Sequence, residues 1–229
     1  MAFAEPCLCP PHAFGIVEPG VYRCNSPSEE NLAFLARLKL KTILYLSPAV
    51  LLRAVANFLQ QSQITLHNLG LQAWRPEASW TPITQELMKD ALELVLDVRN
   101  HPLLVCCTSG IHQTGTLVGC LRRLQGWGLT CTLDEYSLYA GNRVRVVHEQ
   151  FIELFDTDLV RLPQHLPEWM VLPRTLAQEE EQEIERAQEE GDHGKAQTLV
   201  LYRLAAPSKL VSPVVSFNAK SLVDDEDDD

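Results

Sequence analysis

The chain has 229 residues, 46% of them hydrophobic, enough to bury the core of one ordinary domain and leave an extension. The formal net charge of −11 sits almost wholly in residues 156–229, so residues 1–155 are close to neutral and show no basic face for a nucleic acid. The longest apolar runs, residues 42–46 and 103–107, are far too short to span a bilayer. Met1-Ala2-Phe3-Ala4-Glu5-Pro6 also lacks the basic and apolar stretches of a signal peptide, so a cytoplasmic protein with no membrane partner is expected.

In chain order, Gly20-Val21-Tyr22-Arg23-Cys24 reads as a short strand after the turn Glu18-Pro19-Gly20. Ser28 can cap a helix over residues 29–38, where Leu32, Leu35 and Leu38 recur at helical spacing. Residues 41–46 are apolar and β-branched and read as a strand. Ser47-Pro48 then opens a predicted helix over 49–59, and residues 64–69 read as a third strand. A loop rich in Trp and Pro runs from 70 to 80. Thr81-Pro82 starts a helix that carries Leu87, Leu92, Leu94, Val95 and Val98 to residue 99, and Asn100-His101-Pro102 breaks it. Leu103-Leu104-Val105-Cys106 is a continuous apolar run, the pattern of a strand buried on both faces. Helices follow over about 114–126, 132–140 (with Asp134 and Glu135 in its first turn) and 145–155. This alternation predicts an α/β fold with a central, mostly parallel sheet flanked by helices. Ligands of such sheets bind beyond the carboxyl ends of the strands, where Cys107 falls.

The remainder differs in kind. Pro163, Pro167 and Pro173 punctuate it, residues 175–190 are rich in Glu and Gln and read as an exposed helix, and residues 197–204 and 211–217 are apolar. The last six residues are all acidic and are expected to be disordered. Seven cysteines, odd in number and with Cys106 beside Cys107, do not read as a secreted disulfide framework. Cys7 and Cys9 have the wrong spacing for zinc, and no metal or other cofactor is expected.

The chemistry is concentrated in Cys107-Thr108-Ser109-Gly110-Ile111-His112-Gln113. A strand ending at a cysteine, a tight loop with glycine and a helix opening at Thr114-Gly115 form a phosphate cradle. Inward backbone N–H groups and the helix N-terminus hold an anion without side chains. Gly110 permits a turn that a Cβ would obstruct. The same field favours a thiolate at Cys107, a nucleophile for phosphorus, and Thr114 can hydrogen-bond that sulfur. As the alternative, Cys107 is a small buried hydrophobe. Cys106 reads as core, and His112 as either a ligand contact or a packed ring.

The stretch from Asn100 through Cys107, Gly110, Thr114 and Gly115 to Trp127 resembles the signature of the plant and fungal atypical dual-specificity phosphatases. The resemblance continues in Phe14-Gly15-Ile16-Val17, Gly20-Val21-Tyr22-Arg23, Ser26-Pro27, Asp134-Glu135-Tyr136 and Glu149-Gln150-Phe151-Ile152-Glu153-Leu154-Phe155-Asp156. It implies a protein-tyrosine/dual-specificity phosphatase fold over residues 14–156, preceded by a segment 1–13 and followed by an acidic extension 157–229. The family pattern is His-Cys-x-x-Gly-x-x-Arg-Thr-Gly. Here Cys106 replaces the His and Gln113 replaces the Arg, while Thr108, Ser109 and Ile111 stand where active members place basic residues. The doubled cysteine is similar to that of phosphatase-like fungal members thought to serve as subunits of a complex.

An arginine at 113 would make two charged bonds to phosphoryl oxygens, and a glutamine offers one neutral donor group. The resemblance also implies a general acid in the segment 69–80. The only carboxylate there is Glu77, which reads either as that acid or as a solvated loop side chain. The expected function is therefore a catalytically impaired phosphatase that binds a phosphorylated protein or an inositol phosphate through Thr108, Ser109, Gly110, Ile111, His112 and Gln113, or that serves as a subunit beside phosphatase-family partners. The alternatives are an active or weak phosphatase on phosphotyrosine, phosphoserine or inositol pyrophosphates through a Cys107 phosphocysteine, and a redox-responsive thiol protein.

Overall fold

A computed structural model describes residues 8–74 and 83–171. The chain separates into compact units Met1–Leu176 and Ala177–Asp229, and the second unit falls outside the described residues, as do Glu77, the Thr81-Pro82 helix start and every element expected beyond residue 171. Five strands form one sheet: β1 (Gly15–Glu18), β2 (Val21–Asn25), β3 (Thr42–Tyr45), β4 (Thr65–Asn68) and β5 (Leu103–Cys107). Their order is β1-β2-β5-β3-β4. Only the β1–β2 pair is antiparallel; β5 runs parallel to β2 and to β3.

β5 is central because its sequence suits no other place. All five of its residues are buried, as a strand with neighbours on both edges and helices on both faces requires. Side chains alternate between the faces. Leu103, Val105 and Cys107 enter the larger core with Leu87, Met88, Leu92, Leu117 and Leu121, whereas Leu104 and Cys106 enter a second core with Leu35, Val55 and Leu59. The larger core lies under α4 (Gln85–Leu96) and α5 (His112–Leu124), the second under α1 (Leu32–Arg37) and α2 (Arg53–Gln61). The two adjacent cysteines therefore face opposite ways. α6 (Leu129–Ala140) and α7 (Val146–Leu154) pack beside α5.

Several predicted boundaries shift. The strand β1 was not legible as a strand: Ile16 is 68% exposed and only Val17 is buried, so its apolar alternation is too short to register. A short helix, α3 (Leu69–Ala73), stands where a loop was expected, capped by the Asn68 side chain, which accepts from the Leu71 N–H. The helix expected from residue 49 begins instead at Arg53, because Ser47 is committed to the loop after β5 rather than to a helix start. Glu135 lies deeper in α6 than the first turn and pairs with Arg122 at 2.8 Å.

Packing continues beyond residues 14–156 at both ends. Before it, His12 O accepts from the Asn25 N–H and Cys9 O from the Asn31 side chain. After it, Val160 and Met170 are buried in the larger core, His165 O accepts from Val98 N–H, and the Trp169 indole N–H donates to Pro19 O at 3.2 Å. The apolar residues of that proline-punctuated segment are too scattered to show a period, so only packing reveals that they belong to the domain. Among the described residues no helix is long and apolar enough to cross a membrane.

Candidate active site

Cys107 ends β5 at the carboxyl edge of the sheet, between β2 and β3; the helices that follow those two strands, α1 and α2, lie on one face, whereas α5, which follows β5, lies on the other. Such a switch point opens a crevice where α/β sheets bind ligands. The loop from Thr108 to Ile111 then turns directly into α5. Gly110 adopts φ +70°, and a Cβ there would lie 2.5 Å from Asn25 N and 2.7 Å from Cys24 C. Glycine is thus required twice, for the left-handed backbone and for the approach to β2.

The loop is tied together by its own polar groups. Gly110 N–H donates to Cys107 Sγ at 3.2 Å, and the Ser109 hydroxyl lies 4.0 Å from the same sulfur while accepting from Ile111 N–H at 3.3 Å. Thr108 N–H donates to Ser47 Oγ at 3.0 Å, and that hydroxyl donates to the Gln113 side-chain oxygen at 3.5 Å. Gly115 N–H to Ile111 O, 2.7 Å, is the first helical bond of α5. Cys107 is fully buried at the base of this arrangement. Thr114 is also fully buried, but among the described residues its hydroxyl has no hydrogen-bond partner; the bond expected from it to the Cys107 sulfur is not made, and Gly110 N–H donates to that sulfur instead.

The residues singled out in the sequence therefore fall into separate groups. Cys107 at the end of β5, Thr108, Ser109, Gly110 and Ile111 in the loop, and Gln113 in the first turn of α5 follow one another around the same site. His112 belongs to it too, but its ring lies 5.0 Å from that of His148 on α7. Burial, then Arg145 and Arg143, hold the His112 pKa below its usual value. For His148 burial, His112 and Arg145 lower it to about 4, so both rings are neutral near pH 7. Cys106 lies on the other face, opposite Cys24 in the β2–β5 register. A hydrogen bond with Cys24, then burial, raise its thiol pKa well above the ordinary value, which makes it an unreactive core thiol.

Two site residues escaped the sequence reading. Ser47, which looked like a helix opener, bridges Thr108 and Gln113. Arg23, on β2, is 1% exposed, donates from Nη2 to Gly110 O at 3.0 Å and lies 3.7 Å over the Tyr139 ring. The only signal for it was a charged residue set among apolar neighbours in a strand.

A thiol at the end of the central parallel strand, an N–H on its sulfur, and a glycine loop feeding a helix are the arrangement expected of a cysteine-dependent phosphatase fold. The chain belongs to the tyrosine phosphatase family, whose model matches residues 8–173. It is 43% identical over 163 residues to a Dictyostelium discoideum protein named "Probable tyrosine-protein phosphatase DG1060", covering 71% of this chain and 96% of that one. It is 42% identical over 154 residues to the inositol diphosphatase DSP2 of rice (Oryza sativa subsp. japonica), covering 67% and 74% of the two chains. Among solved structures, the core catalytic domain of the PP-IP phosphatase SIW14 from S. cerevisiae, in complex with citrate, matches with TM-score 0.61 and 40% identity over 66% of this chain and 90% of that one.

Proposed function

We propose that the Cys107–Thr114 loop binds a phosphorylated ligand, an inositol phosphate or a phosphoprotein, and hydrolyses it slowly. The observation that carries this reading is Gln113. The cysteine, the glycine turn and the helix start of a cradle are retained, but the side chain at 113 is neutral and its oxygen is turned to Ser47. The relatives named inositol diphosphatases make an inositol polyphosphate the preferred class of ligand. A protein that binds without turnover also suits a role as a subunit of a larger assembly.

In the family chemistry, Cys107 sulfur attacks phosphorus, the bond from phosphorus to the leaving oxygen breaks, and water then cleaves the S–P bond and returns the thiolate. The transition state spreads charge over the equatorial oxygens, where a guanidinium would form two charged hydrogen bonds. Losing one neutral donor from such a site costs roughly 100- to 1000-fold in rate, and losing a charged fork costs more. Gln113→Arg is therefore expected to raise aryl-phosphate hydrolysis at least about 100-fold, and Cys107→Ser in that background to abolish it. An aryl substrate with a good leaving group needs no general acid, so Glu77 does not affect the result. Assays on an inositol pyrophosphate in parallel report the ligand class.

The second reading, an active phosphatase, is favoured by the 42% identity to relatives named as inositol diphosphatases. Equal turnover by the wild-type chain and the Gln113→Arg variant would establish it and sink the impaired reading. The redox alternative has the least support, since Cys106 is a buried, undissociated thiol on the opposite face.

A further inference from the structure

We propose that Arg23 is a positioning residue of the anion cradle, holding the Gly110 peptide so that its N–H side faces the ligand and supplying from beneath the loop the positive charge that residue 113 lacks. The inference rests on the anion-binding reading above. Its first support is geometric. Arg23 Nη2 donates to Gly110 O at 3.0 Å. A trans peptide points its C=O and the following N–H in opposite directions. Fixing Gly110 O against β2 therefore aims Ile111 N–H the other way, where it meets Ser109 Oγ, the atom 4.0 Å from the Cys107 sulfur. One side chain on the neighbouring strand thereby sets the direction of a loop donor.

The second support is an imbalance of charge. The other deeply buried arginine, Arg122, is neutralised by two carboxylates, Glu18 and Glu135, and lies over the Trp127 ring. Arg23 is buried further, yet among the described residues it forms no ion pair. Among those residues it has only the Gly110 carbonyl and the face of Tyr139, and its Nε and Nη1 have no hydrogen-bond partner there. A buried, hydrogen-bond-deficient cation is unfavourable unless a negative group compensates it. Burial accordingly lowers its pKa, while Tyr139, Glu135 and Cys107 act in the opposite sense. Of these, Cys107 lies in the cradle, where a bound phosphoryl group would add further negative charge. A Cβ at Gly15 would lie 2.0 Å from the Tyr139 hydroxyl, so that glycine leaves room for the ring that covers Arg23.

The test compares inorganic phosphate and tungstate binding by the full chain and two variants. Lysine and glutamine can each donate to Gly110 O, but only lysine carries charge. Arg23→Lys is expected to bind within about threefold of wild type, and Arg23→Gln, at matched thermal stability, roughly tenfold more weakly. Should Arg23→Gln bind as well as wild type, the proposal is overturned while the anion-binding reading stands. Should the wild-type chain itself bind neither anion, both fall. A measurement on the unmodified protein covers the case of a variant that does not fold. In an NMR titration with phosphate, the Arg23 Nε–H signal should move together with the Ile111 amide, and that of Arg122 should stay. Movement of Ile111 with a static Arg23 would refute the role.

Discussion

Gly110 and Gly141 both have positive φ, but they stand in different surroundings. At Gly141, φ +56°, a Cβ would meet nothing within 4 Å; at Gly110, φ +70°, it would meet the backbone of β2. Gly141, with ψ −125°, lies outside even the left-handed helical region; such sparsely populated conformations cost a residue with a Cβ about 1–3 kcal/mol, so Gly141→Ala should lose about that much. Gly110→Ala adds a backbone clash that only movement of the loop can relieve, and should lose about 3 kcal/mol or more. Movement of the loop also displaces the N–H that reaches the Cys107 sulfur, so phosphate affinity should fall with stability. Thermal unfolding with and without phosphate separates the two glycines. Equal loss in both variants would mean that the loop slides off β2 without strain. The identity of residue 113 acts at this same scale, where one side chain decides between a charged fork and a neutral amide.

Between elements, α5 and α7 meet closely. A Cβ on Gly119 would lie 2.6 Å from the buried Ile152 side chain, so a residue without a side chain sets the spacing of the helices. At that spacing the His112 and His148 rings come within 5.0 Å, under the influence of Arg145. His148 titrates at about 4 in the fold against 6.5 in the unfolded chain. Between those values the unfolded chain binds the proton and the native one does not, so stability rises with pH. The contribution is complete above about pH 6.5 and is lost as pH falls toward 4; His112, also lowered, adds in the same sense. With solvent screening reducing the full effect of the shift, denaturant unfolding from pH 7 to pH 4 should show a loss of about 2 kcal/mol from this contact. His148→Phe keeps a ring and should flatten the slope. A variant as steep as wild type would assign the acid sensitivity to other groups.

For the whole molecule, the decisive fact is where the domain ends. Val160 and Met170 are buried in the larger core, each contributing about 1.5–3 kcal/mol by removal from water. The Trp169 indole bonds to Pro19 O and its ring stacks near His101, fastening this segment to the turn before β2. A chain ending at Asp156 should therefore lose about 3–6 kcal/mol, a large share of the 5–15 kcal/mol typical of a domain. A chain ending at residue 173, the limit of the family match, should keep nearly the full melting temperature. Calorimetry on the two truncations tests this. If the shorter chain melts like the longer one, the strap from 157 to 171 adds nothing to the core.

What could be read from the residues alone was whatever depends on local pattern. The unbroken run from Leu103 to Cys106 marked a strand buried on both faces, and the cysteine, glycine and Thr114-Gly115 after it marked a cradle, because strand burial and helix-start chemistry are written in adjacent residues. That residue 113 is a neutral glutamine was read from the same stretch, by its resemblance to the family pattern. Tertiary structure decided what depends on residues far apart in the chain. It placed Arg23 under Gly110, Ser47 against Thr108 and Gln113, and Glu135 on Arg122, and it turned Cys106 away from Cys107 into a separate core. It also drew residues 157–171 into the domain, since a few isolated apolar side chains have no period to betray them. Contacts of this kind follow from sheet order and helix spacing, which set which distant residues meet, and no short stretch of sequence contains that information.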